Sequence, residues 1–179
     1  MDISHRIHAR KVVLSYFYQR CFFLYLAKNT TIIQDSLAFD HVFPDHKDFD
    51  IQSEKFTQEL SAYNNEDTDD TIQYMLDHLF DKRKDAVEGD YIAKILPLFD
   101  TYYQEVKDIV DTHTTTFSFD KMDLIDQALF ILGYAEHKKL ATPKEILINE
   151  LVELAKRYAD EWSAKLLNGI MHKVLTPIT

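Results

Sequence analysis

Four oxygen-bearing side chains in the first half of the chain have the spacing of a calcium-binding loop. Such a loop also needs glycine at its sixth position, for a sharp turn, and an apolar residue at its eighth. Ser53 and Lys55 occupy those two positions instead. We therefore interpret this segment as a solvated acidic surface. The four side chains are Asp48, Asp50, Gln52 and Glu59.

Histidines offer two further candidates for a divalent metal site. His5 and His8 are one helical turn apart, but arginines flank them, which favours polar surface groups over metal ligands. The second candidate lies in an acidic loop, and its spacing matches no established ligand pattern. Its members are His41, Asp45, His46 and Asp48.

The remaining reactive residues form no catalytic signature. Cys21 is the only cysteine, and its place on the apolar face of a predicted helix indicates a packed thiol rather than a nucleophile. No nucleophile elbow surrounds any serine. The only glycines are Gly89, Gly133 and Gly169, too far apart for a phosphate-binding loop. The sequence therefore predicts a protein that is not an enzyme and needs neither a cofactor nor a metal.

Charge is unevenly distributed along the chain. The formal net charge is −10, and residues 35–90 alone carry 16 acidic and 5 basic side chains. Residues 1–28 hold five basic side chains against the single acidic Asp2. The total charge argues against nucleic-acid binding, whereas the N-terminal segment alone does not.

Hydrophobic periodicity predicts an all-α fold with no sheet. The clearest start signal is Thr142-Pro143-Lys144-Glu145, which predicts a capping box in which the threonine oxygen accepts from a free backbone N–H. Tyr158 and Trp162 are predicted to face inward, and Gly169 to allow close helix packing. The predicted helices span residues 3–28, 54–63, 70–83, 90–111 with a bend at Pro97, 121–139, 143–158 and 160–174.

The chain shows no sign of export or of a membrane span. Its start, MDISHRIHARK, lacks the apolar run and cleavage site of a signal peptide, and no apolar run reaches the roughly 20 residues that cross a bilayer. We therefore expect a cytoplasmic protein. A length of 179 residues fits one domain, residues 1–179.

Motifs at the two ends of the chain occur in an order that is typical of one family. Near the N-terminus, Ala9-Arg10 and then Phe17-Tyr18-Gln19 are similar to an "AR……LYQ" opening. Three later segments match more closely and keep the family spacing over residues 121–175. The chain thus resembles the NusB family of transcription antitermination factors, with residues 30–90 as a divergent acidic insertion. The three segments are IDQALFILG (125–133, with Glu136 beyond it), INE with ELAK (148–156), and Ser163 with LNGI (167–170).

The resemblance implies a fold and a function. NusB proteins are all-helical, with two small helical bundles packed together, and they are not enzymes. They bind single-stranded RNA in ribosomal RNA leaders, together with a small-subunit ribosomal protein that acts as an antitermination factor. The pair joins an RNA polymerase elongation complex that resists termination.

The resemblance also implies which residues bind. Arginines on the N-terminal helix offer charge and planar hydrogen-bonding forks to phosphates and bases, and Trp162 could stack on a base. The partner protein is expected to contact Tyr18 and an exposed carboxylate at Asp126. The predicted RNA-binding residues are Arg6, His8, Arg10, Lys11, Trp162 and Lys165.

Two alternatives remain open at this point. The first is a protein-interaction module on the same fold with weak or lost RNA binding, which the net charge of −10 favours. The second is an RNA methyltransferase, because a NusB-like domain precedes some such catalytic domains. That alternative needs a glycine-rich nucleotide-binding domain beyond Thr179.

Overall fold

The computed structural model describes residues 3–29, 88–116 and 118–176. Over these ranges the chain forms α-helices and short 3₁₀ turns and contains no β-strand, which confirms the all-α prediction. The predicted helices at 54–63 and 70–83, most of the acidic insertion, and the calcium and His41 candidates lie outside the described residues. The helices are α1 (Ile3–Lys28), α2 (Gly89–Ile95), α3 (Phe99–His113), α4 (Leu124–Leu140), α5 (Lys144–Tyr158) and α6 (Glu161–Val174).

The chain divides into two compact units, Met1–Tyr18 with Asp69–Thr179 and Gln19–Thr68. The described part of the second unit is the C-terminal portion of α1. Cys21 is buried there, and burial raises the pKa of its thiol to about 12. The thiol therefore stays protonated near neutral pH, as expected of a packed cysteine.

Helix α4 is the centre of the first unit. Every residue from Asp126 to Glu136 is buried, because α4 contacts α2, α3, α5 and α6. Gly133 makes this packing possible, since a Cβ at that position would overlap Met171 of α6 and Leu151 of α5. The close helix approach predicted at Gly169 is wrong, because an added Cβ there meets nothing within 4 Å.

The predicted bend at Pro97 is confirmed. Helix α2 ends at Ile95, a 3₁₀ turn spans Leu96–Leu98, and α3 begins at Phe99. Proline cannot donate a backbone hydrogen bond, and this breaks the regular helix at the predicted place. The ring of Phe99 then meets that of Phe17 edge to face, 5.2 Å between centroids, which packs α3 against α1.

Three local predictions at α5 and α6 are wrong. No side chain caps the start of α5, and the Thr142 hydroxyl donates instead to the buried carboxylate of Glu136, at 3.0 Å. Tyr158 is 47% exposed and Trp162 52%, so neither faces the core. The cap that does form is at α6, where the carboxylate of Asp160 accepts from the backbone N–H of Ser163 at 2.7 Å. None of the helices in ranges 3–29, 88–116 and 118–176 has the length and hydropathy of a membrane span.

Candidate functional site

A buried ion pair joins α1 to α4. Arg10 lies one turn after Arg6 on α1, and its guanidinium donates two hydrogen bonds to the carboxylate of Glu136, from Nε and Nη2, both at 2.8 Å. Its Nη1 also donates to Glu150 of α5 at 3.1 Å. Both members of the main pair are buried, Glu136 completely. This two-point geometry is the strongest form of an arginine–carboxylate contact.

Neutral donors complete the surroundings of Glu136. The Tyr91 hydroxyl of α2 donates to it at 2.7 Å, and the Thr142 hydroxyl donates at 3.0 Å. Burial by itself raises the pKa of Glu136, but the hydrogen bonds and charge of Arg10 outweigh burial and hold the pKa below its usual value. Glu136 is thus an ionised carboxylate that ties together α1, α2 and the start of α5.

A second pair continues along the same face of α1. Arg6 donates to Glu88 from Nε and Nη2, both at 2.7 Å, and its guanidinium lies 4.7 Å from the centroid of the Tyr91 ring. This pair is only partly buried. Arg6 and Arg10 therefore share a face of α1, as the four-residue spacing predicted, but both guanidinium groups are engaged by carboxylates of the same chain.

Beside this face, α1 and α5 enclose a groove of about 330 Å³, here called the α1–α5 groove. Lys11 and Arg157 line it, and neither side chain has a salt-bridge partner among the described residues. Burial lowers the pKa of the Lys11 amine, and the positive charge of nearby Arg157 lowers it further. Two cations that repel each other in this way would gain from an anion placed between them. The lining residues are Ile7, Arg10, Lys11, Glu150, Glu153, Leu154, Lys156 and Arg157.

A second groove adjoins the first. Lys165 lies in this α5–α6 groove of about 380 Å³, together with Asn168, and Lys156 lines both grooves. Lys165 also has no salt-bridge partner in the described residues, whereas Lys156 lies 2.6 Å from Glu153 in an exposed pair of little energetic weight. Glu161 also lines the α5–α6 groove, so both grooves mix basic and acidic side chains. Lys11 and Lys165 thus lie in adjoining grooves of α1, α5 and α6, which are together called the basic surface after the cations there that have no carboxylate partner in the described residues.

Two other predicted RNA-binding residues, His8 and Trp162, line neither groove. The half-buried His8 has an Nδ1 atom that lacks a hydrogen-bond partner within the part of the chain described. Trp162 is exposed on α6, one turn before Lys165. Tyr158 is exposed too, with the guanidinium of Arg157 5.6 Å from its ring centroid. Exposed aromatic rings therefore accompany the basic side chains of α5 and α6.

The two predicted partner-binding residues differ in accessibility. Tyr18 is 42% exposed on α1, but Asp126 is only 1% exposed. The prediction that Asp126 is an exposed carboxylate is therefore wrong. Burial raises the pKa of Asp126 to about 6, although its Oδ2 accepts a hydrogen bond from the Ser163 hydroxyl at 3.1 Å. This carboxyl links α4 to α6 inside the protein.

Sequence reasoning missed Arg157 and Lys156. Lys156 ends the ELAK motif of α5 and Arg157 follows it, but basic residues in the last turn of a helix are commonly solvated, so nothing local distinguished them. Only the packing of α5 against α1 brings Arg157 near Lys11. For metal binding, the ranges 3–29, 88–116 and 118–176 contain no group of three or more His, Cys, Asp or Glu side chains that could hold an ion.

The fold and this surface define a class of all-helical proteins, with a buried arginine–glutamate pair beneath a basic face. The family model of the NusB family matches residues 51–176. The chain therefore belongs to the NusB family. The match begins at residue 51, so it extends into the segment 30–90 that shows no recognisable motif, and it leaves out the N-terminal motif.

One curated relative illustrates the divergence of this chain. The transcription antitermination protein NusB of Fusobacterium nucleatum subsp. nucleatum is 27% identical over 122 residues, which cover 68% of this chain and 73% of that relative. No solved structure matches the chain.

Proposed function

We propose that this protein is a transcription antitermination factor that binds single-stranded RNA of ribosomal leader sequences without catalysing a reaction. Membership of a non-enzymatic family and the antitermination name of its relative support the role. The observation that carries the RNA part is the basic surface of α1, α5 and α6, where Lys11, Arg157 and Lys165 have no carboxylate partner in the described residues. A small-subunit ribosomal protein and the RNA polymerase elongation complex are the proposed partners, in the cytoplasm.

The proposal divides the basic residues of α1 into two roles. Arg6 and Arg10 form salt bridges with Glu88 and Glu136, so they hold α1 in place. Lys11 faces the groove and is available to a phosphate. His8 lies on the same helix as Lys11, and Trp162 offers a flat surface on which an unstacked base can lie.

The small number of available cations limits the affinity. Each phosphate neutralised contributes to binding mainly by releasing counterions, so affinity falls as salt rises, in proportion to the number of contacts. Three or four contacts give a shallow salt dependence and modest affinity for RNA alone. We expect the ribosomal protein to raise the affinity by adding contacts of its own.

Charge reversal on the basic surface tests the RNA proposal. Lys11→Glu/Arg157→Glu should abolish binding of a labelled single-stranded leader RNA, measured by fluorescence anisotropy at low salt. The matched control is Lys121→Glu/Lys139→Glu, which makes the same change of charge at two exposed residues outside both grooves. Equal loss in both variants would show a nonspecific effect of net charge and refute the assigned surface. Terminator read-through in transcription with purified components measures the same variants at the level of function.

The ribosomal protein is proposed to dock on a surface that includes Tyr18. Tyr18 remains a candidate because 42% of it is exposed, whereas Asp126 can act only by keeping α4 and α6 together. Tyr18→Ala should weaken co-purification of the partner without lowering the melting temperature. Phe22→Ala changes an equally exposed aromatic residue one turn further along α1 and shows how local the contact is.

A protein-interaction module with little RNA binding is the second candidate function. The engagement of Arg6 and Arg10 by carboxylates favours it, because it removes two of the predicted phosphate contacts. Binding of the ribosomal protein without detectable binding of any leader RNA, at low salt and with that partner present, would replace the first proposal with this one.

A further inference from the structure

The α1–α5 groove has features that a run of surface lysines lacks. Its walls include the apolar side chains of Ile7 and Leu154, with Lys11 and Arg157 also lining the groove. A volume of about 330 Å³ is at the small end of the range for ligand sites, roughly 300–1,000 Å³. The groove therefore suits one small flat group with an attached anion rather than a stack of several bases.

Glu150 provides a hydrogen-bond acceptor in the same groove. Its Oε2 accepts from Nη1 of Arg10 at 3.1 Å, and its Oε1 has no hydrogen-bond partner among the described residues. About a third of the side chain is exposed. Arg10 is itself held by Glu136, so the orientation of the Glu150 carboxylate is set by a buried neighbour.

We propose that the α1–α5 groove holds a single nucleotide of the bound RNA strand and selects a base that carries an exocyclic amino group. This inference rests on the proposed RNA-binding function and assigns its base selectivity to one residue. The base lies against Ile7 and Leu154, its amino group donates to Oε1 of Glu150, and its phosphate lies between Lys11 and Arg157.

A comparison of cytosine with uracil tests this arrangement directly. The two bases have nearly the same size, but cytosine presents an amino donor where uracil presents a carbonyl acceptor. A carboxylate accepts from the first and is repelled by the second, because an ionised carboxylate has no proton to donate. Selection by Glu150 therefore favours cytosine over uracil.

The experiment compares two RNA oligonucleotides of twelve residues, oligocytidylate and oligouridylate, by fluorescence anisotropy at low salt. One hydrogen bond to a charged group corresponds to a preference of about tenfold for oligocytidylate. Glu150→Gln should reduce the ratio to near one, because the glutamine amide can donate to the uracil carbonyl as well as accept. Arg157→Ala should weaken both oligonucleotides to a similar degree and keep the ratio.

Each outcome points to one conclusion. Equal binding of the two oligonucleotides by the unmodified protein, or a preference that survives Glu150→Gln, overturns the assignment of selectivity and leaves the proposed RNA-binding function standing. Binding of neither oligonucleotide also overturns the assignment of selectivity, whereas the RNA-binding function is decided separately, by leader RNA measured with the ribosomal protein present. Equal binding of the two oligonucleotides by the unmodified protein overturns the assignment even where Glu150→Gln is less stable, and thermal melting followed by circular dichroism identifies that case.

Discussion

Replacing Arg10 with methionine should lower the free energy of unfolding far more than replacing Arg6 with methionine. Methionine keeps the unbranched stem and the helix propensity of arginine, so the substitution mainly removes the charge and the donors. At position 10 it leaves the fully buried carboxylate of Glu136 without its cation. At position 6 the carboxylate of Glu88 is partly exposed and can be solvated.

The magnitudes differ because the two pairs differ in burial. Removing one partner of a buried pair costs about 3–5 kcal/mol, whereas an exposed pair contributes about 1 kcal/mol or less, and the partly buried Arg6–Glu88 pair should lie between these values. Urea unfolding followed by circular dichroism measures both free energies. The double variant Arg10→Met/Glu136→Gln should recover most of the loss, since glutamine carries no charge. Its amide oxygen can accept from one of the two hydroxyls that contact Glu136, those of Tyr91 and Thr142, and its amide NH2 can donate to the oxygen of the other.

The pH dependence of the Arg10→Met variant gives an independent check. In the unmodified protein the pKa of Glu136 is depressed, so its stabilising contribution is present above the unfolded pKa and is lost as pH falls through the folded one. Without Arg10, burial dominates and raises the pKa of Glu136, so the variant should lose stability as pH rises from about 4 towards neutral. Equal unfolding free energies for Arg10→Met and Arg6→Met at pH 7, or parallel pH profiles for the unmodified protein and Arg10→Met, would refute the assigned role of this pair.

Two further predictions concern α4 and α6. Gly133→Ala should destabilise the protein, because overpacking against Met171 costs about 1–3 kcal/mol, which is more than the gain in helix propensity. Gly169→Ala has open space around it and should stabilise the protein by about 0.5–1 kcal/mol. Urea unfolding measures both variants, and the opposite order of stability would contradict the packing. Asp126→Asn should stabilise at neutral pH. The folded pKa of Asp126, about 6, exceeds the unfolded value of about 3.9, so its cost to stability develops as pH rises between those values. A stability gain for Asp126→Asn that is the same at about pH 4 and at pH 7 would contradict a buried carboxyl.

Elements with strong local signals were predictable from the sequence. The bounds of α1, the bend at Pro97 and the helices from residue 121 onward follow from periodicity and proline, which act over a few residues. The failures at Thr142 and Gly169 have a different cause. Thr142 had a good local role as a helix cap, but the buried carboxylate of Glu136 competes for its hydroxyl. Gly169 lies on the exposed face of α6, and a pattern of residue types does not show which helix packs where.

The candidate site was harder to predict because its defining contacts are remote in sequence. Arg10 and Glu136 are 126 residues apart, and nothing near either residue reveals that they pair. Charge and spacing placed Arg6, Arg10 and Lys11 together on one helix, but they could not separate the arginines that contact carboxylates from Lys11, which lines a groove. A basic residue that a carboxylate of its own chain already engages has less net charge and fewer free donors to offer an RNA phosphate. On that criterion Lys11, Arg157 and Lys165 are the residues to test first, and Arg6 and Arg10 serve to keep Lys11 opposite α5.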